Sequence, residues 1–92
     1  MATRFPLGRI LATPGALAAL GANRQCLTDF LEQHAHGKWG DALSQEDYDS
    51  KDWSLENDER LLSAYFLRNG QKLWIITERD RSATTVLLPD EY

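Results

Sequence analysis

Two runs dense in β-branched and aromatic residues, Leu61 to Leu67 and Lys72 to Thr77, flank the dipeptide Asn69-Gly70. Asn and Gly tolerate the positive φ that a two-residue type I′ turn demands at both central positions, so this pattern predicts a β-hairpin. A lone hairpin is marginal in water and needs a third strand and a covering layer. Thr84-Thr85-Val86-Leu87-Leu88, reached through the polar link Arg79 to Ser82, supplies that strand before Pro89 and completes an antiparallel meander. The cover must then come from the residues that precede the sheet.

Those residues read mostly as helix. Arg9 to Ala12 is a short apolar run that fits a brief strand, and Thr13 and Pro14 follow as N-cap and first helical residue. Ala16 to Leu20 has high helix propensity, and Gly21 suits a left-handed C-cap. A second helix begins between Cys26 and Thr28, since Leu27, Phe30, Leu31 and His34 recur at spacings of three and four, and Gly37 stops it. Residues 37–44 carry two glycines and no period, which marks a loop pinned by Trp39. Ser44, with Asp47 three residues on, resembles a capping box and opens an acidic helix whose stripe would hold Tyr48, Asp52, Leu55 and Glu59. The expected architecture is α+β: N-terminal helices, with a short first strand, packed on one face of a three-stranded antiparallel sheet, four-stranded if residues 9–12 pair with an edge.

A chain of 92 residues and 10.5 kDa with 42% apolar residues can build one core and no more, so residues 1–92 form a single domain. The charged fraction of 26% and net charge of −4 exclude a disordered acidic tail and a basic nucleic-acid arm. Cys26 is the only cysteine, which rules out an internal disulfide and fits a reducing cytoplasm. The N-terminal residues do not read as a signal peptide, and the apolar stretch after them is cut by Thr13, Pro14 and Gly15, so no membrane segment is expected. A cytoplasmic protein is the expectation.

Several strings together resemble a known family over nearly the whole chain. They are Ala12-Thr13-Pro14-Gly15-Ala16, Trp39-Gly40-Asp41, Leu62-Ser63-Ala64-Tyr65, Trp74 to Thr85, and Leu87-Leu88-Pro89-Asp90-Glu91-Tyr92. The resemblance is to short bacterial "plasmid-related" proteins of uncharacterised function. It implies a context, since such proteins are carried on plasmids, integrative elements and phages, and it implies no catalytic residues. The chain departs from that pattern at Lys38 and Lys51, where an acidic and an amide residue would be usual.

The residues most suggestive of chemistry are His34 and His36 at the end of the second helix, with Arg79, Arg81, Thr84 and Thr85 around the final turn. An imidazole base, an arginine for developing phosphorane charge and a hydroxyl to position phosphate would suffice for a metal-independent nuclease. Helices followed by an antiparallel meander also resemble, in layout alone, small ribonucleases of the barnase and RelE type. Against this, histidines at a helix C-terminus interact favourably with its dipole and arginines in a turn are usually solvated. Residues two apart on a helix do not converge, so His34 and His36 form no metal site, and no glycine spacing matches a nucleotide loop; no cofactor is expected.

Charge distribution carries more. Residues 41–59 hold eight of the fourteen acids against one lysine, while residues 60–82 hold five bases against two acids. The acidic segment either pairs with the basic one internally or faces a basic protein partner, and a charge of −4 is too small for complete DNA mimicry. Trp39 and Trp53 are expected to be anchors to the core, or else to be hot spots of an interface with Asp47, Asp49 and Asp52, and Trp74 reads as core. The leading expectation is a non-catalytic accessory protein that binds another protein, with nuclease or nucleic-acid processing as the rival. Nothing in the sequence specifies an oligomeric state.

Overall fold

A computed structural model describes residues 3–92. Its elements run β1 (Arg9–Ala12), α1 (Pro14–Ala22), α2 (Leu27–Ala35), α3 (Gln45–Glu56), β2 (Leu61–Phe66), β3 (Lys72–Thr77) and β4 (Ala83–Leu87), followed by a 3-10 turn at Pro89–Glu91. The strands form one sheet in the order β1-β4-β3-β2. β2, β3 and β4 are the expected antiparallel meander, and β1 is the fourth strand. It runs parallel to β4, with Arg9 beside Ala83 and Ala12 beside Val86, so the sheet is mixed rather than wholly antiparallel. Parallel neighbours need a long connection, and three helices and two strands of chain separate these two.

The helix starts follow local chemistry. The Thr13 hydroxyl accepts from the Ala16 N–H at 3.1 Å, and that of Ser44 from the Asp47 N–H at 3.2 Å. The ends share one device: in each helix the second residue past the last turn sends its N–H back five residues, Gln25 to Leu20, Lys38 to Gln33 and Glu59 to Ser54. Such a closure needs a left-handed residue just before it. Gly37 fills that position in α2 as expected, but Arg24 (φ 53°) and Asp58 (φ 54°) fill it in α1 and α3. Gly21 is therefore an ordinary helical residue, and the cap of α1 falls on Asn23. Glu59 lies beyond α3 and leaves the expected stripe.

The hairpin joins the expected strands by a different turn. Phe66 pairs with Lys72, the Leu67 N–H reaches the Gln71 oxygen at 2.8 Å, and the Gly70 N–H reaches the Leu67 oxygen at 2.9 Å. Three residues, Arg68 to Gly70, make the loop, and only Gly70 of the pair Asn69-Gly70 has positive φ, at 89°. This is a three-residue connection with a left-handed glycine, not a two-residue type I′ turn. Asn69 serves instead as a local acceptor for the Gln71 N–H at 2.9 Å.

All three helices lie on one face of the sheet. Ala16, Ala19 and Leu20 of α1 and Phe30 of α2 pack on Tyr65, Leu73, Ile75 and Val86. A second cluster of Phe5, Trp39 and Leu61 receives Tyr48 and Leu55 of α3. Among the described residues, no α-helix covers the opposite face. Trp74 lies there, half-buried, with the Tyr92 ring packed edge-on at 5.9 Å, so it belongs to the outer face rather than to the core. The β2 edge is closed by the loop from Trp39 to Ala42, through the Ala64 N–H to Trp39 oxygen (2.9 Å) and the Ala42 N–H to Ala64 oxygen (3.1 Å).

Candidate functional site

Inward positions of the three meander strands should be apolar, yet Ser63, Thr77 and Thr84 occupy three of them, around the buried His34 of α2. The buried hydroxyls have to find partners, and the imidazole is the hub. Its Nδ1 meets Ser63 Oγ, and its Nε2 lies 2.8 Å from Thr77 Oγ1. Thr77 Oγ1 is 2.7 Å from Thr84 Oγ1, and Thr84 Oγ1 donates to the Leu7 oxygen at 2.7 Å.

That last bond sets every proton in the chain. Leu7 offers only an acceptor, so the single Thr84 proton is committed there, and Thr77 must donate to Thr84. Thr77 can then only accept, which places the imidazole proton on Nε2 and leaves Nδ1 to accept from the Ser63 hydroxyl. His34 is thus a neutral imidazole with both nitrogens satisfied. Burial, reinforced by the positive charge of Arg81, lowers its pKa from 6.5 to about 3.

A serine hydroxyl donating to an imidazole that is held by a third group is the arrangement of an activated nucleophile. Access decides otherwise here, because Ser63, His34, Thr77 and Thr84 are all 0% exposed. Phe5 packs edge-on against the imidazole with ring centres 5.2 Å apart, and Trp39 does so at 5.7 Å. The segment carrying Phe5 is fixed by the Arg4 N–H to the Ala35 oxygen at 2.8 Å. The arrangement is a closed polar core, which no substrate reaches.

The residues of the nuclease expectation are thereby divided. His34, Thr84 and Arg81 come together, whereas His36 turns away to bond the Glu32 oxygen at 2.7 Å and Arg79 is exposed, 4.0 Å from Glu59. Thr85 alternates to the outer face. The Arg81 guanidinium spends Nη1 on the Glu59 and Glu78 carbonyls at 2.7 and 3.1 Å, and lies 5.7 Å from the Phe5 ring centre. Its backbone is left-handed, at φ 62°. Among the described residues, no group of three or more His, Cys, Asp or Glu side chains could hold a metal ion. Sequence reasoning missed Ser63 and Thr77; the signal was there, as polar residues at inward positions of otherwise apolar strands.

The binding residues are divided too. Trp39 is fully buried, and its Nε1 donates to Asp52 Oδ1 at 2.9 Å. The same oxygen receives Arg4 Nη1 at 3.3 Å, so Asp52 is spoken for. Trp53 is 59% exposed and so is no anchor to the core. Helical spacing sets Glu46, Asp49 and Glu56 around it, while Tyr48 and Leu55 point to the core. Asp47 and Asp49 form no ion pair among the described residues. Among the described residues, internal pairing of the acidic and basic segments is confined to Arg79 with Glu59, since Arg60 and Glu78 pair within the basic segment, and α3 takes no part in it.

No helix among the described residues is long and apolar enough to cross a membrane. Comparison of the chain with protein-family models, with curated proteins and with solved structures finds no match.

Proposed function

We propose that the protein is a non-catalytic interaction module that binds a basic protein through the outer face of α3. The observation that carries this reading is the 59% exposure of Trp53 among acids, Glu46, Asp49 and Glu56, that form no ion pair among the described residues. A large exposed ring costs free energy in water and is of the type that anchors interfaces, while unpaired acids around it favour a basic partner and speed its approach. Asp47 and Asp49 belong to this surface. Trp39 and Asp52 support it from beneath, by fastening the loop and the N-terminal segment to α3.

The resemblance to plasmid-related proteins supports the setting: an accessory protein of a bacterial mobile element, acting in the cytoplasm on a host or element-encoded protein. The rival, a small metal-independent nuclease, draws on the proximity of His34, Thr84 and Arg81, and the complete burial of its base and hydroxyls argues against it. Nucleic acid is also poorly matched to the unpaired acids of α3.

The experiment is affinity capture from bacterial lysate, followed by binding kinetics with the recovered partner in purified form. Trp53→Ala should speed dissociation at least tenfold without lowering the melting midpoint, and Asp47→Asn with Asp49→Asn should slow association at low salt and much less at high salt. Unchanged kinetics in both variants would refute the α3 surface. Cleavage of mixed RNA, abolished by His34→Ala or Arg81→Ala in folded protein, would install the nuclease reading instead.

A further inference from the structure

The two edges of the sheet are finished differently. The β2 edge is occupied by the loop at residues 39–42, and the Asp41 carboxylate accepts from the Phe66 N–H at 2.9 Å. Among the described residues, no strand pairs with the outer side of β1. The Arg9 N–H donates to the Ser82 oxygen at 2.9 Å and the Thr13 N–H to the Val86 oxygen at 3.0 Å, so the odd-numbered peptide groups face β4. By alternation, the N–H and C=O of Ile10 and Ala12 face away from the sheet. Ile10 and Leu11, each 40% exposed, carry apolar side chains on the two faces of this open edge. Proteins usually blunt such an edge by shortness, charge, a proline, a bulge or a covering loop; β1 has four residues and one charge, Arg9, but within Arg9–Ala12 no proline interrupts the edge and Ile10 and Leu11 stand open on it.

We infer that β1 pairs antiparallel with β1 of a second copy of this chain, about a two-fold axis at Leu11, to join two four-stranded sheets into one. The register follows from which peptide groups are free. Ile10 and Ala12 flank Leu11 symmetrically, so Ile10 meets Ala12 of the partner subunit and the reverse, and each pair exchanges two N–H to oxygen bonds. Leu11 meets Leu11 of the partner subunit in the intervening pair, where antiparallel side chains approach most closely.

Charge fits the same register. The Arg9 side chain has no hydrogen bond or ion pair within its own chain among the described residues. It comes opposite Thr13 of the partner subunit. In each chain the Thr13 hydroxyl donates to Glu91 Oε1 at 2.6 Å, so the unpaired guanidinium of one copy meets the carboxylate held by the other. The two Arg9 side chains stand at opposite ends of the ladder and do not repel. An edge that is its own complement in peptide groups, apolar contact and charge selects a second copy over an unrelated strand.

The test is molecular mass by sedimentation from about 10 µM to 1 mM, a range suited to an interface smaller than the ~1,200 Å² of tight complexes. The 10.5 kDa mass should double with concentration. Ile10→Pro removes an outward N–H and a half-exposed side chain but no bond to β4, so it should largely keep the melting curve and abolish the doubling. Register is read by cross-linking in a Cys26→Ser background. Leu11→Cys should form an intermolecular disulfide under mild oxidation, since facing Cα atoms of such a pair lie ~4.5 Å apart. Arg9→Cys should not, its Cα atoms being separated by roughly 13 Å along the strands. A constant 10.5 kDa mass, a dimer that survives Ile10→Pro in folded protein, or equal cross-linking at positions 9 and 11 would each overturn the inference.

Discussion

The indole N–H of Trp39 is buried in the second core cluster, and its single partner is a carboxylate oxygen of Asp52, two turns into α3. One acid of the acidic helix thus does structural duty, fixing the helix to the loop that closes the β2 edge. Asp52→Ala should leave that N–H without a partner and cost about 1–3 kcal/mol in urea denaturation. Asp52→Asn keeps an acceptor and should cost less than half as much, while the exposed Asp49→Asn should stay within about 0.5 kcal/mol. Equal midpoints for Asp52→Ala and Asp49→Asn would show that the tie contributes nothing.

The buried imidazole makes stability depend on pH in a window set by its own shift. His34 titrates near the ordinary 6.5 in the unfolded chain and at about 3 in the fold. The unfolded state therefore binds more protons as pH drops, and stability is lost progressively from pH 6.5 towards 3, by up to about 1.4 kcal/mol per pH unit, with no contribution above 6.5. His34→Gln can still accept from Ser63 and donate to Thr77, but it cannot ionise. Its melting midpoint should fall less than the parent's between pH 6.5 and 5. That interval lies above the range where the carboxylates of Asp80, held ionised by Ser82, and Glu91, held by Thr13, take up protons. Parallel curves for the two proteins would contradict the neutral His34.

Gly40 and Gly70 both have positive φ, at 100° and 89°, but their surroundings differ. A Cβ at Gly40 would collide with the backbone oxygen of Ala64, inside the pairing that closes the β2 edge; a Cβ at Gly70 would meet nothing. Gly70→Ala should cost about 1 kcal/mol from backbone strain alone. Gly40→Ala adds steric overlap with an unyielding partner and should cost about 3 kcal/mol or more. Chemical denaturation of the two variants ranks them, and a reversed order would refute the loop pairing.

Arg24 holds the left-handed position that ends α1. Arg24→Gly should relieve roughly 1–2 kcal/mol of strain and return about 0.4–1 kcal/mol through a freer unfolded chain, a net gain of about 0–1.6 kcal/mol. A lower melting midpoint would mean that the arginine side chain contributes more than its backbone costs.

What was legible in the sequence was what neighbouring residues decide. Thr13 with Pro14, Ser44 with Asp47, and Gly37 each state their role within one helical turn, and the strands around Asn69-Gly70 declare themselves by composition. The exact turn was not legible, because Asn-Gly suits both a two-residue and a three-residue loop and the cross-strand register chooses between them. Arg24 and Asp58 concealed the ends of α1 and α3, since tertiary packing holds them where glycine is the usual sign. Trp39 sits in a glycine-flanked loop and Trp53 in an acidic helix, yet neither setting states burial, and only the direction in which the backbone aims each ring separates a core residue from an exposed one. The parallel partner of β1 and the chain from Ser63 to Leu7 join residues far apart in sequence, which no local spacing records.

The pairing of residues 9–12 with 83–86 also has a kinetic side. The meander and its turns can form from nearby residues, but the fourth strand finds its place only after residues 13–82, which separate β1 from β4, have been gathered in, and the hydroxyl of Thr84 reaches Leu7 only then. Loop closure over so long a span is the slow kind of step in a small domain. During synthesis, β1 leaves the ribosome before the other three strands, so Ile10 and Leu11 wait for their neighbour until residues 83–86 have emerged.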